Sequence, residues 1–280
     1  MTSPRISASS YSNTAPLVWS FLYGVNHGKV EIILDNAPAR SAELLAQDRV
    51  DAALVPVIAS QYIDGVKLIP DVCVGARQRV RSVCLVTKGE NLKQVKTVAL
   101  DVSSKTSVVL TKIIFREFLG FEPVWRDAKP DISAMLAESD AALLIGDPAL
   151  TLSEPRAVAS GFLKSNSQIS NLKSFDLAEL WHHYTSLGFV FAMWMTRKDN
   201  CPIDFAAARD EGITHIEEIV SNYKTDIGLG RAEMIEYLTK NISYSVDESM
   251  RKGMELYFEL AGKLGLIDAV RRLTYLDSLK

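Results

Sequence analysis

The hydroxyl, amide and carboxyl side chains best placed to do chemistry fall in four short segments: Ser9–Pro16, Arg81–Val83, Asp101–Val108 and Leu144–Leu150. The third is the densest. Ser103, Ser104, Thr106 and Ser107 put four hydroxyls into five residues, between an apolar run and a helical pattern. Such a junction gathers hydroxyls, free backbone N–H groups and the positive end of a helix dipole, which suits a carboxylate or phosphate. A heavily capped helix is the plainer use of the same residues. In the first segment Asn13 can donate through its amide, and Asn13 or Thr14 could equally cap a helix with Pro16 in its first turn. Ser82 offers a hydroxyl at the start of a strand. In the fourth segment Gly146 permits close backbone approach to a ligand. Asp147 beside it either caps the short helix opening at Pro148 or accepts a hydrogen bond from a substrate hydroxyl.

The sequence carries no Walker loop, GxGxxG, HExxH or GxSxG pattern. Of its four histidines, His182 and His183 are neighbours on a helical stretch and cannot face one point. His27 and His215 read as surface or helix-packing residues, so no metal site is expected. Cys73, Cys84 and Cys201 are widely spaced and odd in number, which fits neither a zinc pattern nor a disulfide framework and points to a reducing compartment.

The 280 residues carry 31 basic and 34 acidic side chains, a formal charge of −3, with 48% hydrophobic and 23% charged residues. That balance excludes a disordered chain and gives no general pull toward nucleic acid, so an anionic ligand must be caught by local groups. The N-terminal residues lack the apolar stretch of a secretion signal, and the longest apolar runs, such as Phe189–Met195, are too short to cross a bilayer. The expectation is a cytoplasmic protein with no membrane or nucleic-acid partner.

These segments need elements to position them. Apolar runs at Arg5–Ala8, Val30–Leu34, Ala53–Val57, Leu68–Gly75 and Ser82–Thr87 read as strands, as do Val95–Leu100, Ala141–Ile145 and Val190–Met195. A helix with Ala42, Leu44, Leu45 and Ala46 on its apolar face feeds directly into the third strand, a βαβ signature that predicts largely parallel sheets. Ala15–Phe21 and Ser107–Leu119 read as helices, and beyond residue 200 the pattern is almost wholly helical, at Phe205–Ser221, Arg231–Leu238 and Asp247–Leu264. Polar stretches after apolar strands, at Thr87–Asn91 and Thr196–Asn200, mark two expected crossovers. Residues 1–87 with 198–280 would form lobe one, and 88–197 an inserted lobe two hinged near Lys88 and Arg197. That architecture is a two-lobed α/β, periplasmic-binding-protein-like fold (type II) with a helical C-terminal block. Its ligand lies in the cleft between lobes, beyond the carboxyl ends of the strands. Trp181, Phe189, Phe191 and Trp194 read as core and crossover packing.

In this order the segments resemble the chorismate dehydratase family of the futalosine route to menaquinone. The matching pieces are Ser12-Asn-Thr-Ala-Pro16, Ala42–Leu45 with Asp51–Val55, Ser82–Leu85, Ala99–Ser107, Leu144–Leu150 and Asp176–Trp194. They span roughly residues 5–197. The chain departs from the family at Thr185-Ser-Leu-Gly-Phe189, where a Thr-Gly-Leu-Pro-Phe stretch is usual, and at Lys105, where Arg is common. A sister family, the 1,4-dihydroxy-6-naphthoate synthases, shares the fold but opens with a Ser-Pro-Cys-Pro-Asn-Asp stretch absent here. The resemblance implies conversion of chorismate to 3-[(1-carboxyvinyl)oxy]benzoate and water, without metal or organic cofactor. It assigns catalysis to Asn13 and Ser82 and substrate binding to Ser12, Ser104, Thr106, Ser107, Gly146, Asp147 and Thr185. The reaction removes the ring proton at C3 and the hydroxyl at C4. None of the His, Glu or Lys residues in the matching motifs is suited to act as base, so the hypothesis is that the substrate's own enolpyruvyl carboxylate takes the proton, with Asp147 the alternative. The sister synthase, and a non-catalytic small-anion-binding protein on the same fold, are the competing readings.

Overall fold

The computed structural model describes residues 3–152 and 172–277, without the side chains of 224–226, so residues 153–171 of the expected second lobe lie outside the described residues. The strands assemble into two five-stranded sheets. The first contains β1 (Arg5–Ser9), β2 (Glu31–Asp35), β3 (Ala52–Pro56), β4 (Lys67–Ala76) and β10 (Phe189–Thr196), in the order β2-β1-β3-β10-β4. The second contains β5 (Val83–Thr87), β6 (Thr97–Asp101), β7 (Val124–Ala128), β8 (Ala141–Ile145) and β9 (Lys173–Asp176), in the order β7-β6-β8-β5-β9. Strands β3, β5 and β8 are buried at every position, which is why each reads in sequence as a continuous apolar run.

Both sheets are mixed, not largely parallel. β1 pairs in parallel with β2 and β3, and β6 with β7 and β8, but β10 runs antiparallel between β3 and β4. β5 likewise runs antiparallel between β8 and β9. These two strands also move the expected boundaries. β5 belongs to the second sheet and β10 to the first, so the chain crosses at 77–82 and again at 186–188, not near 87 and 197. Lys88 and Arg197 accordingly bond within their own halves, Lys88 Nζ to the Leu136 carbonyl at 2.7 Å and Arg197 to Asp48 at 2.6 Å.

Helices cover the sheets and fix the loops at their carboxyl ends. α1 (Ala15–Leu22) follows β1, and α2 (Pro38–Ala46) buries Ala42, Leu44 and Leu45 in front of β3. α3 (Lys105–Ile113) follows β6 and runs on as a π-helical segment to Leu119. α4 (Ile132–Glu138), α5 (Gly146–Leu150) and α6 (Leu177–Thr185) complete the second half. The C-terminal block holds α7 (Phe205–Thr214), α8 (Ile216–Ile227), α9 (Arg231–Glu236), which continues as a π-helical segment Tyr237–Asn241, and α10 (Glu248–Lys263). Asp131, Asp176, Asp204 and Asp247 cap α4, α6, α7 and α10 through first-turn amides.

The block is not wholly helical. Leu68 and Gly75 on the outer edge of β4 form bridges to Tyr275 and Ser243, so extended C-terminal chain covers an edge that would otherwise present unpaired backbone groups. The aromatic residues of the second crossover form the expected core: Trp181 meets Phe189 edge-on at 5.4 Å, and Phe189 meets Tyr257 at 5.2 Å.

α7 packs on α1 through Gly212, where an added Cβ would lie 1.8 Å from the Pro16 carbonyl oxygen. Backbone cannot yield there as a flexible side chain would. G212A should therefore lose about 1–3 kcal/mol in urea unfolding, with α1 pushed off its seat.

Candidate functional site

β1 ends at Ser9, and the chain turns through a short 3-10 segment, Ser12–Thr14, whose three side chains are all buried. Thr14 Oγ1 donates to the carbonyls of Ser9 at 2.6 Å and Tyr11 at 2.8 Å, and no side chain caps α1. The capping role open to Asn13 and Thr14 is therefore not taken. Asn13 Nδ2 reaches Ser82 Oγ at 3.4 Å, and Ser12 binds Asp147. The Ser12 N–H lies 3.2 Å from both Asp147 carboxylate oxygens, and Ser12 Oγ donates to Oδ1 at 2.5 Å. Asp147 makes no cap bond to α5. These contacts join loops carried by different sheets.

Ser82 stands at the end of the first crossover. Arg81 before it adopts a left-handed backbone, φ 64°, a costly conformation for a non-glycine residue that the surroundings enforce. The Asp176 carboxylate accepts from the N–H groups of Val80 at 3.0 Å and Arg81 at 2.5 Å while capping α6. The Arg81 guanidinium pairs with Glu233 of α9 at 2.6 Å. The Ser82 carbonyl in turn accepts the Gly146 N–H at 2.7 Å. Gly146 has φ 65°, and an added Cβ would lie 2.8 Å from the Tyr11 ring. The space that the sequence reading left to a ligand at Gly146 is filled by Tyr11 in this closed arrangement.

The hydroxyl cluster sits where it is expected, at the start of α3. Ser104 is the N-cap residue but makes no side-chain cap bond; its Oγ donates to Ser107 Oγ at 2.8 Å. Capping therefore does not account for the cluster. Thr106 Oγ1 accepts the Ile58 N–H at 3.3 Å, and its carbonyl accepts the Tyr257 hydroxyl at 3.1 Å, again linking the two halves. Ser103 is committed to Asp101, donating its N–H at 2.9 Å and its Oγ at 2.6 Å to Oδ1. Thr185 bonds elsewhere: its hydroxyl donates to the Trp181 carbonyl at 2.7 Å and accepts the Leu187 N–H at 3.2 Å.

Burial dominates the electrostatics. It pushes the carboxyls of Asp147 and Asp101 above their ordinary range, with hydrogen bonds from Ser12 and Ser103 respectively pulling back. Arg81 and the α3 N-terminus are the nearby positive features that could oppose a substrate carboxylate.

One residue at the cluster has no counterpart in the sequence reading. Tyr237, fully buried, opens the π-helical turn after α9, and its hydroxyl lies against Ser82 and Asn13. In sequence it reads as one more apolar position on a helix face; only the fold brings it to Ser82.

A separate cavity of about 610 Å³ lies between Ile58 and Tyr62 on one side, Lys105, Val108 and Val109 of α3 on another, and the C-terminal segment at Ile267 and Arg271. Neither Asn13, Ser82 nor Tyr237 lines it. The Asn13–Ser82 contact lies outside this cavity, at the interface between the two halves. Among the described residues no group of side chains has the makings of a metal site, and no helix is long and apolar enough to cross a membrane.

A family model described as menaquinone biosynthesis matches residues 4–263. Chorismate dehydratase of Thermus thermophilus is 30% identical over 245 residues, covering 82% of this chain and 86% of that protein. Among solved structures, a protein from Archaeoglobus fulgidus superposes with a TM-score of 0.69 at 20% identity, covering 95% of this chain and 98% of that one. A Candida albicans gene product described as having the generic periplasmic binding protein fold superposes with a TM-score of 0.66 at 13% identity, over 100% of this chain and 99% of that one. The last likeness, with the two mixed sheets, establishes a two-lobed, periplasmic-binding-protein-like fold. With sequence, fold and ordered segments in agreement, the chain belongs to the menaquinone biosynthesis family that includes chorismate dehydratase.

Proposed function

We propose that the protein is a chorismate dehydratase, a hydro-lyase that converts chorismate to 3-[(1-carboxyvinyl)oxy]benzoate and water. The observation that carries this reading is the convergence of Asn13 and Ser82, from loops on different sheets, at 3.4 Å inside the closed interface. There the Asn13 amide donates to Ser82 Oγ, whose own hydrogen goes to the Val80 carbonyl at 3.4 Å, and both groups, turned toward a ligand, suit the holding of a substrate carboxylate. The α3 N-terminus, with Ser104, Thr106 and Ser107, suits the second carboxylate of the same dianion. Asp147 is occupied by Ser12, so it acts as a latch between the halves, and the proton at C3 passes to the substrate's own enolpyruvyl carboxylate. Aromatisation drives the loss of the C4 hydroxyl, which takes up the proton removed from C3 and leaves as water. What the chain contributes is position: reacting atoms held about 3 Å apart with water excluded gain several kcal/mol over the free reaction. Thr185 and Gly146 act on this site through the second crossover and the Tyr11 contact. A cytoplasmic location goes with the reading, and Cys73, Cys84 and Cys201 are buried and free, as suits a reducing compartment.

Protein mixed with chorismate in the presence of a chelator should yield, beyond a no-enzyme control, a product lighter by one water and identified as the enolpyruvyl-ether benzoate. Binding without turnover would favour a small-anion-binding protein instead. N13A and S82A should each lower kcat/KM by about a hundredfold, the scale of a misplaced reacting group, while a double S104A/S107A change should act mainly on KM, by about tenfold.

D147N separates latch from base. The amide keeps an acceptor for Ser12, so turnover should survive within about tenfold, as expected when no charged base is removed. Loss of turnover with chorismate still bound would make Asp147 the base. The same variant has a stability signature. A carboxyl whose folded pKa lies above its unfolded one costs stability at neutral pH, and the cost vanishes as pH falls into the ordinary carboxylate range. D147N should therefore melt no lower than wild type at pH about 7, with its advantage shrinking toward pH about 4.

A further inference from the structure

We propose that Tyr237 is a third hydrogen-bond donor of the Asn13–Ser82 site, directed at the substrate oxygen that those two residues hold. The inference rests on the dehydratase reading and adds a residue from a part of the chain that the matching motifs do not include.

Three observations carry it. The Tyr237 side chain is completely buried, yet its hydroxyl makes no aligned hydrogen bond among the described residues. Ser82 Oγ and the Asn13 amide lie against that hydroxyl, and Asp147 and Arg81 are close enough to act on it electrostatically. Tyr237 also sits where an α-helix passes into a π-helical turn, a distortion that occurs often at functional sites. Its aim is fixed one turn earlier on the same helix, where Glu233 grips Arg81, the residue preceding Ser82. The crossover that presents Ser82 and the helix that presents Tyr237 are thus clamped together.

Burial keeps the phenol protonated, its pKa pushed far above the ordinary value. The hydroxyl therefore enters the site as a neutral donor and holds an oxygen without giving up its proton. Tyr244 provides an internal comparison. It is buried on the neighbouring stretch, its hydroxyl is also without an aligned partner, and it faces Tyr237 and Cys73, not Ser82 or Asn13.

The test is Y237F beside Y244F, each followed by thermal unfolding without ligand and by steady-state turnover of chorismate. A hydroxyl kept for ligand should be dispensable for folding, so Y237F should melt at or above the wild-type temperature while kcat/KM falls at least tenfold; Y244F should stay within twofold of wild type. A Y237F melting temperature lowered by several degrees would show a structural hydroxyl and overturn the proposal. So would unchanged turnover in Y237F, or an equal loss in Y244F. If wild type itself leaves chorismate unchanged, the dehydratase reading falls separately. Calorimetric titration with chorismate then decides Tyr237: binding weakened at least tenfold by Y237F upholds it, and equal or absent binding in both proteins overturns it.

Discussion

A carboxyl group enclosed between two sheets is the constraint around which the rest of the molecule is arranged. Asp147 stands at the carboxyl end of β8 in the second half, and both of its oxygens face the N–H of Ser12 in the first. Partial burial raises the cost of its charge, and the hydrogen bonds from Ser12 offset part of that cost. Everything that holds Ser12 and Asp147 in register serves that bond: Thr14 folding the β1–α1 loop back on itself, Gly146 making room for Tyr11, and the Ser82 carbonyl receiving the Gly146 amide. Ser12 and Asp147 are held together across the two halves, so on the proposed reading any separation of the halves that admits a ligand breaks this pair. The latch and the site share the same loops, so closure and the positioning of Asn13 and Ser82 are one event.

The crossovers and the C-terminal block determine how that event is guided. Arg81 and Ser82 lie on the first crossover, where Asp176 and Glu233 fix backbone and side chain respectively. The second crossover is packed from the other side by α10, whose Gly253 lies so close to Gly188 that a Cβ would stand 2.0 Å from its carbonyl oxygen. Farther along, Lys263 pairs with Glu117 at 2.7 Å, and the Arg116 guanidinium donates to the Leu264 carbonyl at 3.1 Å, tying the end of α10 to the second half. Helices that read as a generic appendage in the sequence thus brace both places where the chain passes between sheets, and they contribute Tyr237 to the site.

What the sequence made legible was what depends on local order. Strands β1, β3 and β8 and helix α2 declare themselves through apolar periodicity, and Ser12, Asn13, Ser82, Gly146 and Asp147 come into contact while Thr185 does not join them. Strand partners are another matter. β5 and β10 are apolar runs followed by polar turns, and that signal is the same whichever sheet the strand enters, so sequence alone puts the crossovers one strand late and reads the sheets as largely parallel. Capping signals misled in a similar way. Thr14, Asp147 and Ser104 all have the residue type and position of caps, yet a neighbouring carbonyl, a long-range partner and a neighbouring hydroxyl respectively take their side chains. Tyr237 was invisible because its ring satisfies a helix's apolar pattern while its hydroxyl is aimed at residues distant in the chain. Where side chains answer to partners in other segments, periodicity has nothing to report.

On the proposed reading, chemistry happens in the interface at Asn13 and Ser82, not within the cavity bounded by Tyr62, Lys105 and Arg271. A crystal structure of the protein with its product, 3-[(1-carboxyvinyl)oxy]benzoate, tests it most directly. The account predicts one carboxylate within hydrogen-bond reach of Asn13 and Ser82 and the other at the start of α3, against Ser104 and Ser107. A product lodged among Tyr62, Lys105 and Arg271, with the Asn13–Ser82 pair untouched, would contradict it.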